Sequence, residues 1–130
     1  MRVLLADDSV MIIRRLQEMV SMHKEVEIVA ILNNGTDALE AIRKLKPDLA
    51  IVDNKMPGLS GLEVLNEIRK EDTTVKFIIL TFYSQDYYRK LAIQSGADYF
   101  FSKVDDFEIL SQVVAEMVEK EKEKDYLQTK

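Results

Sequence analysis

Short, nearly uninterrupted apolar runs alternate along the chain with longer segments in which apolar residues recur at helical spacing. The five runs cover residues 3–6, 26–32, 49–52, 77–80 and 99–101. Apolar runs of this length are typical of strands in a parallel sheet that helices cover on both faces. The pattern therefore predicts five βα units and an α/β fold.

The segments between the runs contain residues that favour helix starts and ends. The predicted N-caps, in chain order, are Ser9, Asn34, Ser60, Ser84 and Asp105. Ser60 and Asp105 are each followed three residues later by glutamate, which is the spacing of a capping box. The first helix is predicted to end near Met22, the second before Pro47 and the fourth at Gly96.

The last residues of the chain differ in character from the rest. Residues 119–125 alternate glutamate and lysine and end in aspartate, so they offer no apolar face to bury. We therefore predict one domain over residues 1–118, followed by a charged C-terminal helix extension or tail over residues 119–130.

Composition excludes several classes of protein. The chain contains no cysteine, so it has no disulfide framework or thiolate metal site and needs no oxidising compartment. Its net charge of -5 argues against nucleic-acid binding by this domain alone. No apolar run is long enough for membrane insertion or resembles a signal peptide. The sequence therefore predicts a cytoplasmic domain.

The residues that follow four of the predicted strands have side chains suited to chemistry. For five βα units, the common flavodoxin-like order 2-1-3-4-5 places strands one and three side by side at the ligand-binding crevice. Strand one leads into Asp7 and Asp8, strand three into Asp53, strand four into Thr81, and strand five into Lys103. Because parallel strands end at the same edge, we expect all of these side chains at one site.

Three carboxylates in one crevice would repel one another unless a cation were present. Mg²⁺ prefers oxygen ligands and commonly combines one or two carboxylates with phosphate oxygens. We therefore expect Asp8 and Asp53 to be direct Mg²⁺ ligands and Asp7 to act through water.

Lys103 and Thr81 complete a predicted phosphoryl site. Strand five lies roughly 10 Å from strand three, and a lysine stem of about 6 Å can carry its charge most of that way. The hydroxyl of Thr81 can donate to a phosphate oxygen. A metal, a cation and a donor are what phosphoryl transfer requires. Asp53 would be the nucleophile and would form an acyl phosphate.

Four motifs in order resemble the receiver domain of two-component response regulators, over residues 1 to about 118. They are Asp7-Asp8 after strand one, residues 53–61 after strand three, Leu80-Thr81 at strand four and residues 96–103 around strand five.

The resemblance implies that Asp53 accepts its phosphoryl group from a phosphohistidine of a sensor histidine kinase or a phosphotransfer protein. It also implies that Mg²⁺ is bound by Asp8, Asp53 and the backbone carbonyl of Lys55. Thr81 and Phe100 occupy the switch positions of the family.

The resemblance further implies an output surface on the fourth helix, fifth strand and fifth helix. A downstream protein partner would read that surface. A second copy of the chain, in a phosphorylation-dependent homodimer, is one candidate partner.

Two departures from the family pattern bear on the site. Val104 stands where the family usually has proline, so the loop is expected to hold Lys103 differently. Phe82 stands where a small residue is usual, and its bulk is expected to slow phosphorylation by small donors. Lys55 and Tyr83 flank the site and are expected to shield the acyl phosphate from water, which predicts a long-lived phosphorylated state.

Several functions remain open at this level. The preferred one is a stand-alone regulator that is not a turnover enzyme and acts by protein contacts or phosphorelay. The alternatives are the receiver part of a longer DNA-binding response regulator and a receiver-like interaction domain that is poorly phosphorylated. A magnesium-dependent phosphatase would have an Asp-x-Asp signature, whereas Asp7 and Asp8 are adjacent. A flavin domain would need a phosphate-binding Gly, Ser and Thr cluster after strand one.

Overall fold

Strands and helices alternate along the whole computed structural model, which describes the backbone of residues 1–129 and the side chains of residues 1–127. The strands are β1 (Arg2–Ala6), β2 (Glu27–Leu32), β3 (Leu49–Asp53), β4 (Lys76–Thr81) and β5 (Tyr99–Ser102). The helices are α1 (Val10–Val20), α2 (Gly35–Leu45), α3 (Gly61–Arg69), α4 (Asp86–Gln94) and α5 (Phe107–Thr129). The predicted βα pattern is confirmed, and each observed strand overlaps its apolar run.

All strand pairings in the sheet are parallel, in the order β2-β1-β3-β4-β5. This confirms the predicted doubly wound, flavodoxin-like topology. The central strand β3 is buried along its whole length, as its apolar run requires, whereas the edge strand β2 is half-exposed.

The sheet separates two apolar cores. One core lies between the sheet and helices α2, α3 and α4, and includes Phe77, Ile79 and Phe100. The other lies between the sheet and helices α1 and α5, and includes Ile78, Leu80 and Phe101. Successive residues of a strand point to opposite faces, so β4 and β5 supply side chains to both cores in alternation.

Three of the predicted helix caps are confirmed. Ser9 accepts a hydrogen bond from the N–H of Ile12, and Asn34 accepts one from the N–H of Asp37. At α3, Ser60 Oγ accepts a hydrogen bond from the N–H of Glu63, and the carboxylate of Glu63 accepts one from the N–H of Ser60, which forms the predicted capping box. Gly96 follows the end of α4 with φ 103, a conformation that favours glycine.

Three helix ends differ from the prediction. Helix α4 begins at Asp86 instead of after Ser84, because the carbonyl that accepts its first helical hydrogen bonds is that of Gln85. Helix α1 ends at Val20, two residues before Met22.

The capping box predicted at Asp105 is also wrong. The carbonyl of Asp106 accepts the first helical bond of α5, from Leu110, so the helix begins one residue later than the box requires. The Asp106 carboxylate instead accepts a hydrogen bond from the N–H of Ser102.

The charged residues after position 118 continue helix α5 as far as Thr129. Lys122 forms an ion pair with Glu25 at 2.8 Å, and the N-terminal ammonium of Met1 lies 3.6 Å from Glu121. These contacts hold part of the extension against the loop before β2, which contains Glu25, and against the start of the chain at Met1. The division at residue 118 stays a prediction. Within residues 1–129, no helix combines the length and the apolar character that a membrane crossing needs.

Candidate functional site

The register of the parallel strands brings the predicted side chains to one edge of the sheet. Ala6 of β1 pairs with Val52 of β3, so Asp7 and Asp53, which follow them, lie side by side. One strand further along, Asp53 pairs with Leu80, which directly precedes Thr81.

The three predicted acidic residues form a cluster at this edge. One carboxylate oxygen from each of Asp7, Asp8 and Asp53 lies within 4.8 Å of the other two. Asp7 and Asp53 are buried, with 3% and 5% of their surface exposed, whereas Asp8 faces solvent. The pocket is therefore built from oxygen ligands and is open to water on the side of Asp8.

Lys103 reaches into the same cluster. Its Nζ lies 2.6 Å from Asp7 Oδ2 and 3.1 Å from Asp53 Oδ2, and its side chain is only 2% exposed. One ammonium thus stands against three carboxylates. When all four groups are ionised, the site has an excess of two negative charges, which a divalent cation would neutralise. This agrees with the expectation of a metal at this site.

The pKa of Asp53 reflects this environment. Burial is the largest cause that raises it, and the neighbouring charge of Asp7 is the second. Lys103 and a hydrogen bond from the N–H of Lys55 act in the opposite direction. The net result raises the pKa of Asp53 from 3.8 to about 6. At neutral pH the carboxylate is therefore mostly ionised, as a nucleophile must be.

The loop that follows Asp53 is locked to the start of α3. Asn54 is buried, and its Oδ1 accepts a hydrogen bond from the N–H of Leu62 at 3.1 Å. The N–H of Gly61 donates to the carbonyl of Asn54 at 3.0 Å, and a Cβ at Gly61 would lie 2.5 Å from the Asp53 carbonyl oxygen. Sequence reasoning assigned no role to Asn54 or Gly61, although their places in the loop between strand and capping box were the available signal.

The loop that carries Lys103 is held by side-chain hydrogen bonds. Ser102 Oγ accepts from the N–H groups of Val104 and Asp105, and Asp106 accepts from the N–H of Ser102. All peptide bonds in the described residues are trans, and Val104 is 70% exposed. Ser102 and Asp106 therefore fix the backbone here, a role that sequence reasoning missed.

Thr81 and Phe100 lie on the face of the sheet that packs against α2, α3 and α4. Both are buried, and Thr81 Oγ1 accepts a hydrogen bond from the N–H of Tyr83 at 3.0 Å. The guanidinium of Arg89 lies 5.0 Å from the centre of the Phe100 ring and donates to the Phe100 carbonyl at 2.8 Å. The ring points inward, and the switch role of the two residues stays a prediction.

Two aromatic side chains stand at the rim of the site beside cations. The Nζ of Lys103 lies 4.9 Å from the centre of the Phe82 ring, and the Nζ of Lys55 lies 4.6 Å from that of Tyr83. Phe82 and Tyr83 remain 57% and 43% exposed. The four residues thus form two cation–π pairs at the mouth of the site.

The ligand atoms present fit a hard divalent cation. Asp7 Oδ2 is buried and contacts the Lys103 ammonium at 2.6 Å, and the three clustered acidic side chains offer carboxylate oxygens, which such a cation prefers. Lys55 lines the same surface pocket as Asp8, next to the carboxylate cluster. Its carbonyl as a metal ligand stays a prediction.

Comparison with known proteins adds to this geometry. Residues 3–115 match the family described as "Response regulator receiver domain". A solved DNA-binding response regulator of the LuxR family from Staphylococcus aureus is 32% identical, with a TM-score of 0.81. That similarity covers 88% of this chain and 96% of the other.

Two curated relatives are considerably longer than the chain. The uncharacterised transcriptional regulatory protein YvfU of Bacillus subtilis is 32% identical over 90% of this chain and 58% of its own length. A protein-glutamate methylesterase/protein-glutamine glutaminase of Methanospirillum hungatei is 38% identical over 78% of this chain and 30% of its own length. The chain therefore spans little more than half of one relative and less than a third of the other.

Proposed function

The chain belongs to the response regulator receiver domains of two-component systems, and from this membership we propose that it is a switch that accepts a phosphoryl group on Asp53. The observation that carries the proposal is the convergence of Asp53 with Lys103 and two further carboxylates in one pocket. The carboxylates alone could mark a metal site. The buried lysine beside the nucleophile adds the positive charge that a phosphoryl group needs.

The proposed reaction is a single transfer. An Asp53 carboxylate oxygen attacks the phosphorus of a donor phosphohistidine, and a new O–P bond forms as the N–P bond breaks. The electron pair of the broken bond stays on the histidine ring. We propose that the Lys103 ammonium and the Thr81 hydroxyl bind the oxygens of the transferred group, which is supported by the ion pair of Lys103 with Asp53 and by the place of Thr81 on the neighbouring strand.

We propose that Asp8 and Asp53, with the carbonyl of Lys55, bind Mg²⁺ directly and that Asp7 acts through water. When bound, the ion would neutralise negative charge at the site during transfer. Lys103 orients the nucleophile from the buried side of the site, where Asp7, Asp53 and Lys103 all lie, while the side of Asp8 stays open to water.

We propose a sensor histidine kinase or phosphotransfer protein as the donor, and a downstream protein that reads α4, β5 and α5. Exposed apolar and aromatic side chains on these elements support such a contact surface: Tyr87, Ile93, Tyr99 and Ile109. A phosphorylation-dependent homodimer on this face remains one candidate. Thr81 and Phe100 would couple the site to it, since both lie in the layer that contains α4.

The length of the relatives bears on the whole protein. The YvfU similarity covers 58% of that transcriptional regulator, so the receiver part of a longer DNA-binding regulator is a candidate beside the stand-alone form. We propose that this domain acts as an acceptor and not as a turnover enzyme in either case. We also propose a cytoplasmic location, in keeping with a chain that has no cysteine to oxidise.

Intact-mass measurement tests the proposal directly. The chain is incubated with acetyl phosphate, with Mg²⁺ or with a chelator, and the expected result is a gain of one phosphoryl group only when the metal is present. Asp53→Asn should abolish the gain, whereas the matched substitution of the exposed Asp105→Asn should retain it. Labelling that persists in Asp53→Asn, or a wild-type chain that gains nothing, would overturn the proposal.

A further inference from the structure

Phe82 is an unusual side chain for its position. It follows the last residue of β4 and is 57% exposed, and neither apolar core includes it. The apolar ring therefore contributes little burial, although transfer of aromatic surface from water is favourable. What its ring does contact is the ammonium of Lys103, at 4.9 Å from the ring centre.

The register of β4 and β5 brings Phe82 and Lys103 next to each other. Thr81 pairs with Ser102, so the next residues on the two strands, Phe82 and Lys103, are neighbours across the sheet edge. The N–H of Lys103 also donates to the carbonyl of Thr81 at 2.9 Å, which extends the pairing by one step. The Phe82 and Lys103 side chains thus extend side by side from the same edge of the sheet.

The position of the Lys103 ammonium depends on the side chains that surround it. The backbone of this residue is fixed by the hydrogen bonds of Ser102 and Asp106, but a lysine stem has four carbons and many rotamers. Val104, the next residue, is 70% exposed. The Phe82 ring supplies an attractive surface for the ammonium on one side, while Asp7 and Asp53 attract it on the other.

We propose that Phe82 is a positioning residue for the phosphoryl-transfer reaction, in that its ring holds the Lys103 ammonium at Asp53 through a cation–π contact. This inference rests on the proposed function of Asp53 as phosphoacceptor. It assigns Phe82 a part in the transfer reaction. The expected effect of the ring is faster phosphorylation, which is the opposite of the slowing expected from its bulk. The ring accelerates transfer because the cation is already in place when the donor arrives.

Three substitutions at Phe82 distinguish the effect of the aromatic face from the effect of side-chain size. Phe82→Tyr keeps the aromatic face, Phe82→Leu keeps an apolar cover without one, and Phe82→Ala removes both. The rate constant for phosphorylation by acetyl phosphate with saturating Mg²⁺ is followed by intact mass. Positioning predicts a rate near wild type for tyrosine and about two- to fivefold lower for leucine, with alanine slowest.

The dependence on donor concentration gives an independent readout. Loss of positioning lowers the maximal rate constant, whereas relief of an obstacle lowers the acetyl phosphate concentration needed for half the maximal rate. A small donor is used because it makes no extended protein contact that Phe82 could influence.

A double-mutant cycle with Lys103→Met links the ring to the charge. Urea unfolding of wild type, Phe82→Leu, Lys103→Met and the double variant gives the coupling between the two side chains. We expect the leucine substitution to change the unfolding equilibrium about two- to fivefold more when the ammonium is present than when methionine replaces it. A merely structural contribution of the ring would be the same in both backgrounds.

The outcomes separate this inference from the function on which it rests. If wild-type chain is not phosphorylated on Asp53, the proposed function fails. If it is phosphorylated but Phe82→Ala is fastest, or all four rates are equal, the positioning role is refuted while the acceptor function stands. A cycle with no coupling refutes it as well.

Discussion

Replacement of Asp53 by asparagine should stabilise the folded chain at neutral pH, even though it removes the proposed nucleophile. Asp53 and Asp7 share one ammonium, so the wild-type site holds more negative than positive charge. Asparagine keeps the shape of the side chain and removes one of the two buried negative charges. Lys103 retains its ion pair of 2.6 Å with Asp7 in the variant.

The magnitude follows from the pKa of Asp53. A rise from 3.8 to about 6 corresponds to about 3 kcal/mol at pH 7.5, at about 1.4 kcal/mol for each unit. The pocket is open to water beside Asp8, and solvent screening reduces that figure. We therefore expect Asp53→Asn to raise the free energy of unfolding by about 1–2 kcal/mol in the absence of Mg²⁺.

The difference should depend on pH with a defined sign. Because the pKa of Asp53 is higher in the folded than in the unfolded chain, the folded state binds the proton more tightly. The penalty for the charged form is absent below pH 3.8, grows as the pH rises and is complete above about 6. The advantage of the variant should thus be full at pH 7.5 and should shrink as the pH falls towards 4.5.

Urea unfolding in chelator, followed by circular dichroism at several pH values, measures this difference. Asp105→Asn is the matched control, because its exposed carboxylate should give no comparable gain. Addition of Mg²⁺ should stabilise the wild-type chain more than the variant and so narrow the gap. A variant less stable than wild type at pH 7.5, or an advantage independent of pH, would refute the electrostatic reasoning.

Four further substitutions have defined outcomes. Gly61→Ala places a Cβ 2.5 Å from the Asp53 carbonyl oxygen, so we expect a loss of about 1–3 kcal/mol in urea unfolding and slower phosphorylation. Lys55→Ala and Tyr83→Leu each break the cation–π contact of 4.6 Å at the mouth of the site, and each should shorten the life of the phosphorylated chain about two- to fivefold after donor removal. Asp8→Asn removes a proposed ligand and should weaken Mg²⁺ binding at least about tenfold, as measured by the metal dependence of thermal stability.

Each of these expectations has a result that contradicts it. Full stability in Gly61→Ala would mean that the loop has room to move away from α3. An unchanged lifetime in both rim variants, or a wild-type half-life of only seconds, would reject the shielding role of Lys55 and Tyr83. Equal Mg²⁺ affinity in Asp8→Asn would exclude that side chain as a ligand.

Much of the architecture follows from local sequence features, namely the apolar runs, the residues that follow them and the helix caps. The five apolar runs correspond to the five strands, because helices cover both faces of the parallel sheet and bury most of its residues, with the half-exposed edge strand β2 as the exception. The meeting of Asp7, Asp53 and Lys103 was predictable from topology alone, since parallel strands end at a common edge. Ser9, Asn34 and Ser60 cap their helices because those contacts lie within one turn.

What could not be predicted depends on contacts between distant segments. The start of α5 is decided by Asp106, whose carboxylate is used by Ser102 and not by the first turn of the helix. The role of Asn54 requires the loop to return to α3, and that return is visible only in three dimensions. The contact of Phe82 with Lys103 depends on a register between strands 21 positions apart in the chain, which apolar periodicity does not specify.

The separation of the two cores has a consequence for how a signal would spread. Phe100 and Phe101 are adjacent in β5, yet the first packs in the layer of α4 and the second in the layer of α5. A displacement of Phe100 would press directly on its own layer, and would reach the opposite layer only by moving the strand itself. If Phe100 moves, we therefore expect the layer of α4 to respond first, and α5 to follow only through a shift of β5.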